Sequence, residues 1–308
     1  MAGFNHNTRF FKIVKLLLKV GLSVLALYYV TTKIDIKAVG HSISHLSYPL
    51  LALAAILLIA SIVVATFRLN TLFKAMPLHV SHSTNFKLYW LGLFYNLFLP
   101  GGIGGDGYKV FLINKYHKKP VKSLIGVILS DRLSGLAVIC IYLLILVYPL
   151  HLNIPYINWV GLLIPLVFVG YWLFLYLFNR TLLPKYWKVL AWSFLSQGIQ
   201  ILVALSILYA IGDVLDYRGA EYMFLFLLSS IMASVPISLG GIGLRELTFM
   251  QGATILGLNV EHAVALSFIF YILSLLISLP GIIYTFDTSK LLESEETLIT
   301  DEEAENEI

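Results

Sequence analysis

The 308-residue chain is 59% hydrophobic and 12% charged, with a mean hydropathy of +0.86, whereas a soluble domain has about half and about a quarter for the first two. These values exclude a water-soluble enzyme or nucleic-acid-binding domain as the body of the chain. The formal charge of +4 hides an asymmetry, because nine of the 17 acidic residues lie from Asp287 onward, leaving eight acids against 20 bases before it.

Apolar blocks fall at 12–31, 49–67, 84–99, 121–148, 157–178, 188–211, 222–239, 247–257 and 262–285. Their lengths suit membrane spans more than amphipathic surface helices. The first carries Arg9, Lys12, Lys15 and Lys19 on its leading edge and has no small-residue cleavage pattern. It reads as a retained signal anchor with its N-terminus in the cytoplasm. The second block then returns to the cytoplasm, where Arg68, Lys74 and Lys87 are expected.

The block 84–99 decides the topology. A full crossing there would put Lys109, Lys115, Lys118, Lys119 and Lys122 outside, against the positive-inside rule. A re-entrant hairpin near 84–118 removes the conflict and gives Gly101, Gly102, Gly104, Gly105 and Gly107 a purpose at its tip. Further on, the loop from His151 to Asn158 lies outside, Arg180, Lys185 and Lys188 inside, and the stretch from Asp213 to Glu221 outside. Two short blocks joined by Pro236, Gly240, Gly241 and Gly243 make a second hairpin near 222–257, entered from the other face. The reading is an all-α integral membrane protein with about six full crossings and two inverted re-entrant hairpins. Residues 1–285 form the membrane domain, and 286–308 an acidic, disordered cytoplasmic tail.

Gly-Gly-Ile-Gly recurs at the two tips, ahead of Asp106 in one and of Glu246 in the other, the pattern expected of an inverted repeat whose site lies where broken helices meet. Few charges interrupt the blocks. Asp131 and Arg132 lie in the fourth, Arg245 and Glu246 at the second tip, and Asp106 and Lys109 leave the first. Each costs about 2.5–3.5 kcal/mol at a helix centre unless it faces protein or water. They therefore face inward, either pairing to fasten the bundle or forming a site. Arg245 after its glycines, with Lys109 as a second cation, suits a phosphate or carboxylate. Asp131 and Glu246 would hold those cations when the site is empty or titrate in proton-coupled transport, and Asn96 would cap or bridge the first broken helix.

Other patterns carry less. Gly102, Gly104 and Gly107 spell GxGxxG without a βαβ unit around them, and no P-loop motif is present. The pairs His41 with His45 and His79 with His82 have no third ligand nearby, so no metal or cofactor is expected. Cys140 lies inside an apolar block.

Asn96, Pro100, Gly104-Gly105-Asp106 with Lys109, Asp131-Arg132, Pro236, Gly240-Gly241-Ile242-Gly243 and Arg245-Glu246 together resemble the transmembrane flippase region of lysylphosphatidylglycerol synthases, over nearly the whole chain to about residue 285. That family commonly has arginine where this chain has Lys109, which keeps the charge and loses the planar fork. The soluble aminoacyl-transfer domain of the full-length synthases has no counterpart in these residues. The resemblance implies handling of a lipid in a bacterial-type inner membrane and not lysyl transfer. The expected ligand is an anionic phospholipid or lipid-linked glycan, with a lipid-modifying enzyme as a possible partner and no nucleic acid. Rival readings are a secondary transporter of a small solute and a membrane-embedded transferase acting on a lipid carrier.

Overall fold

A computed structural model describes Tyr28, Thr32 and residues 46–76, 78, 80–98, 104–150, 157–212, 218–235 and 243–285. Most of the first apolar block, residues 99–103 and 236–242 of the two glycine tips, and the acidic tail lie outside the described residues.

Among the described residues, nine α-helices follow in order: α1 Tyr48–Phe73, α2 His82–Phe98, α3 Gly104–His117, α4 Val121–Leu146, α5 Leu163–Phe178, α6 Tyr186–Ala210, α7 Gly219–Ser234, α8 Leu244–Leu256 and α9 Val260–Ser278. Short 3₁₀ segments at Ile157–Leu162, Arg180–Lys185 and Leu279–Thr285 extend α5, α6 and α9. Five of the described segments are long and apolar enough to cross a membrane: Tyr48–Phe73, Val121–Leu146, Trp159–Phe178, Arg180–Ala210 and Val260–Thr285. The remaining helices, α2, α3, α7 and α8, have 17, 14, 16 and 13 residues. At 1.5 Å per residue they reach about 20–25 Å, short of about 30 Å of hydrocarbon.

Helix ends follow local chemistry. Pro49 sits in the first turn of α1, where its missing N–H costs nothing, and α4 begins directly after Pro120. Asn259 caps α9, its side chain accepting the His262 N–H at 2.8 Å.

Contacts between helices fix which ends lie together. The Ser47 N–H donates to the Ala210 carbonyl at 2.9 Å and Ser206 Oγ to the Leu50 carbonyl at 2.7 Å, while Ser196 Oγ reaches the Ser61 carbonyl at 3.3 Å. Thus α1 and α6 run antiparallel along their length, with serines where the backbones approach. The end of α1, the start of α6, the start of α2 (His82 beside Asn70) and the Lys119 corner between α3 and α4 share one basic end of the bundle.

The hairpin of α2 and α3 opens at that end. Its arms meet so closely that a Cβ added to Gly105 would lie inside contact distance of the Gly92 backbone. Gly105→Ala is expected to destabilise the protein by about 1–3 kcal/mol or more, the cost of overpacking, read as a lower melting temperature of the purified chain in detergent. An unchanged melting temperature would mean that the arms are not locked together there.

Helices α7 and α8 pack against each other in the second half of the chain. Arg218, just before α7, donates from Nε and Nη2 to Glu221 at 2.8 and 3.0 Å, and from Nη1 to the Gly257 carbonyl at 2.8 Å, with a further bond to the Leu256 carbonyl. The hydrogen bonding to Glu221 holds this guanidinium above its ordinary pKa. The start of α7 and the end of α8 are thereby tied together.

Each hairpin organises its own apolar core. One gathers Leu72, Leu88, Leu91, Ile113, Leu124 and Val127; the other gathers Leu58, Val203, Phe226, Phe249, Ala253 and Leu266. Outward-facing residues such as Leu166, Leu177 and Phe178 are 62%, 62% and 75% exposed, which suits a surface solvated by lipid.

Candidate functional site

The charges of the first half converge on two neighbouring ion-paired groups. Asp131 of α4 accepts from Arg68 of α1 through both carboxylate oxygens, at 2.7 and 3.1 Å. The same guanidinium donates to Ser193 Oγ of α6 at 3.2 Å, and Ser193 in turn donates to Ser134 Oγ at 3.0 Å. Arg68 and Asp131 are 5% and 7% exposed, so neither charge has water to fall back on.

The second group is built on Asp106, in the first turn of α3. Lys109 Nζ donates to one of its oxygens at 3.1 Å, and Arg132 Nε to the other. The Lys109 ammonium also lies 4.3 Å from the centre of the Tyr89 ring, and its stem passes over Gly92, where any side chain would displace it. Among the described residues, Arg68, Lys109 and Arg132 stand beside the two carboxylates of Asp131 and Asp106.

Asn96 performs the capping role expected of it: its Oδ1 accepts the Gly105 N–H at 2.9 Å and joins the two arms next to the tip. Gly104 opens α3.

Arg132 is the part of the cluster that reaches the flank of the bundle, its side chain 35% exposed. There it and Asp106 stand at one end of a groove between α3 and α4, of about 560 Å³, walled by Val110, Phe111, Val121, Ile125, Ile128 and Leu129. Phe111 and Ile125 are more than half exposed, so the groove is open sideways. Arg132 lies 11 residues beyond Val121 on α4, or about 16 Å from the corner at 1.5 Å per residue.

The second hairpin carries a separate polar group. Gly243, at φ 85°, precedes α8, a backbone conformation that glycine adopts freely. Glu246 accepts the Gly243 N–H at 2.7 Å and the Ser267 hydroxyl at 3.2 Å. Arg245 lies 4.8 Å over the Phe270 ring, and its buried Nε has no hydrogen-bond partner among the described residues. No ion pair among the described residues joins Arg245 to Asp106, so the structure does not bring the two tips' charges into contact. Gly241 lies outside the described residues.

The lysylphosphatidylglycerol synthase TM region profile matches residues 16–184. The chain belongs to this family. The part matched to the lysylphosphatidylglycerol synthase TM region contains α1 to α5, the α2 and α3 hairpin, the Arg68–Asp131 and Asp106 ion pairs and the groove, whereas Arg245 and Glu246 lie beyond it. No curated protein matches the chain.

Sequence reasoning misses Arg68. The apolar block 49–67 stops just short of it, and its charge groups it with Lys74 and Lys87 in the cytoplasm, but α1 continues through Phe73 and buries it. The signal available is the apolar run that resumes at once with Leu69, Leu72 and Phe73. Tyr89, Gly92 and Ser193 escape notice because only packing brings them to the charges.

Proposed function

We propose that this multi-pass membrane protein binds an anionic lipid in the groove between α3 and α4 and carries its headgroup between leaflets of a bacterial-type inner membrane. The observation that carries the reading is an apolar groove, open to the side, that ends on the ion pair of Asp106 and Arg132. An acyl chain fits the Phe111, Ile125 and Leu129 walls, and a phosphate fits the exposed edge of the Arg132 guanidinium, with Lys109 behind it. The basic end is taken as cytoplasmic, which makes α2 with α3 a re-entrant hairpin from that side and α7 with α8 its inverted partner. Arg245, whose Nε has no partner among the described residues, is the second cation on the path. A small-solute transporter would need a site sealed from lipid, and the sideways opening argues against it.

The test is the purified full chain in liposomes with fluorescent phosphatidylglycerol and phosphatidylcholine, scored for redistribution between leaflets. Accelerated movement of the anionic lipid is expected. Arg132→Gln should slow it about tenfold or more, the loss of a charge-assisted hydrogen bond worth ~1.5–3 kcal/mol. Equal rates with and without protein for every anionic lipid would overturn the proposal.

A further inference from the structure

We propose a second anion site, built for a phosphate group, at the basic end of the bundle where α1, α2 and α6 meet. A cavity of about 150 Å³ opens there, lined by Asn70 and Lys74 of α1, His82 of α2, and Lys185, Lys188 and Trp192. At ~30 Å³ per water in the liquid, it holds about five waters, room for a phosphate group. Three lysines and no carboxylate line it.

Two buried polar atoms separate this cavity from an ordinary basic surface. Trp192 Nε1, which can only donate, is buried without a partner among the described residues, and so is Oδ1 of Asn70, a residue 1% exposed. The other amide atom of Asn70 meets His82 Nδ1 at 2.9 Å. Because amide oxygen and nitrogen are interchangeable by a flip, His82 can donate to the oxygen and turn the Asn70 NH₂ free. Both orphans then become donors, which is what an anion requires. The Trp192 ring is held by stacking on Phe67, 5.6 Å between centroids, and Phe67 also packs on His82 at 5.2 Å. Basic pockets between membrane helices at the cytoplasmic side suit lipid phosphates, but the same donors suit free phosphate. The site shares no residue with the α3 and α4 groove, so it stands or fails independently of the lipid-carrying role.

The experiment is a binding titration of the detergent-solubilised full chain with inorganic phosphate and, separately, with short-chain phosphatidylglycerol. Saturable binding of phosphate alone would identify a free anion as the source; binding of the lipid alone, weakened by Trp192→Phe and so distinct from binding in the α3 and α4 groove, would identify a headgroup; either supports the site. Lys74→Gln, Lys185→Gln and Lys188→Gln should each lower affinity about fivefold, from ~1 kcal/mol per basic residue. Trp192→Phe keeps the stack on Phe67, removes the N–H, and should lower affinity about tenfold. No saturable binding of either probe, or full affinity in Trp192→Phe, would overturn the proposal.

Discussion

Replacing Asp131 by leucine is expected to destabilise the protein by about 3–5 kcal/mol, because it strands the Arg68 guanidinium in the middle of a helix bundle. Arg68 is 5% exposed, and the side chain left to it is the neutral Ser193 hydroxyl at 3.2 Å. The double change Arg68→Met with Asp131→Leu removes both charges and should recover most of the loss, since apolar replacements of a buried pair are often neutral or stabilising. Thermal unfolding of purified variants in one detergent checks this. If the single variant melts with the wild type, the pair is not held away from water. If the double variant is as unstable as the single, the deficit comes from packing.

Gly107→Phe should stop lipid movement while leaving the fold intact. Gly107 lines the groove, and a Cβ added there meets nothing within 4 Å, so the new ring projects into free space. Loss of glycine from a helix interior is favourable by up to about 1 kcal/mol. A phenyl ring that displaces about four methylenes of a bound chain, at ~0.8 kcal/mol each, removes ~3 kcal/mol of binding, or two orders of magnitude in affinity. The leaflet redistribution assay reads the result, with melting temperature as the control. Undiminished movement would place the path elsewhere on the protein.

The helices were legible in the sequence because apolar length and Pro or Gly punctuation are local signals: the blocks at 121–148, 157–178 and 262–285 reappear as α4, α5 and α9 with their 3₁₀ extensions. The short helices were legible too, because the glycine-rich stretches interrupt the apolar blocks that precede α3 and α8. The pairings were not. Asp131 and Arg132 look like partners on paper, but adjacent residues on a helix do not face each other. Asp131 turns to Arg68, 63 positions away, and Arg132 to Asp106, 26 positions away. Charges alone could not foresee the groove either, because its walls are the apolar outward faces of two helices, α3 and α4.

On the proposed path, Arg132, 11 residues along α4 from Val121, would meet the headgroup where a bare bilayer opposes it most strongly. A lipid whose phosphate pauses there has left one interface by about half the hydrocarbon thickness while its tails still lie against the flank. The passage is thereby divided into two shorter climbs, and the tails need not turn over at the moment the headgroup crosses the midplane.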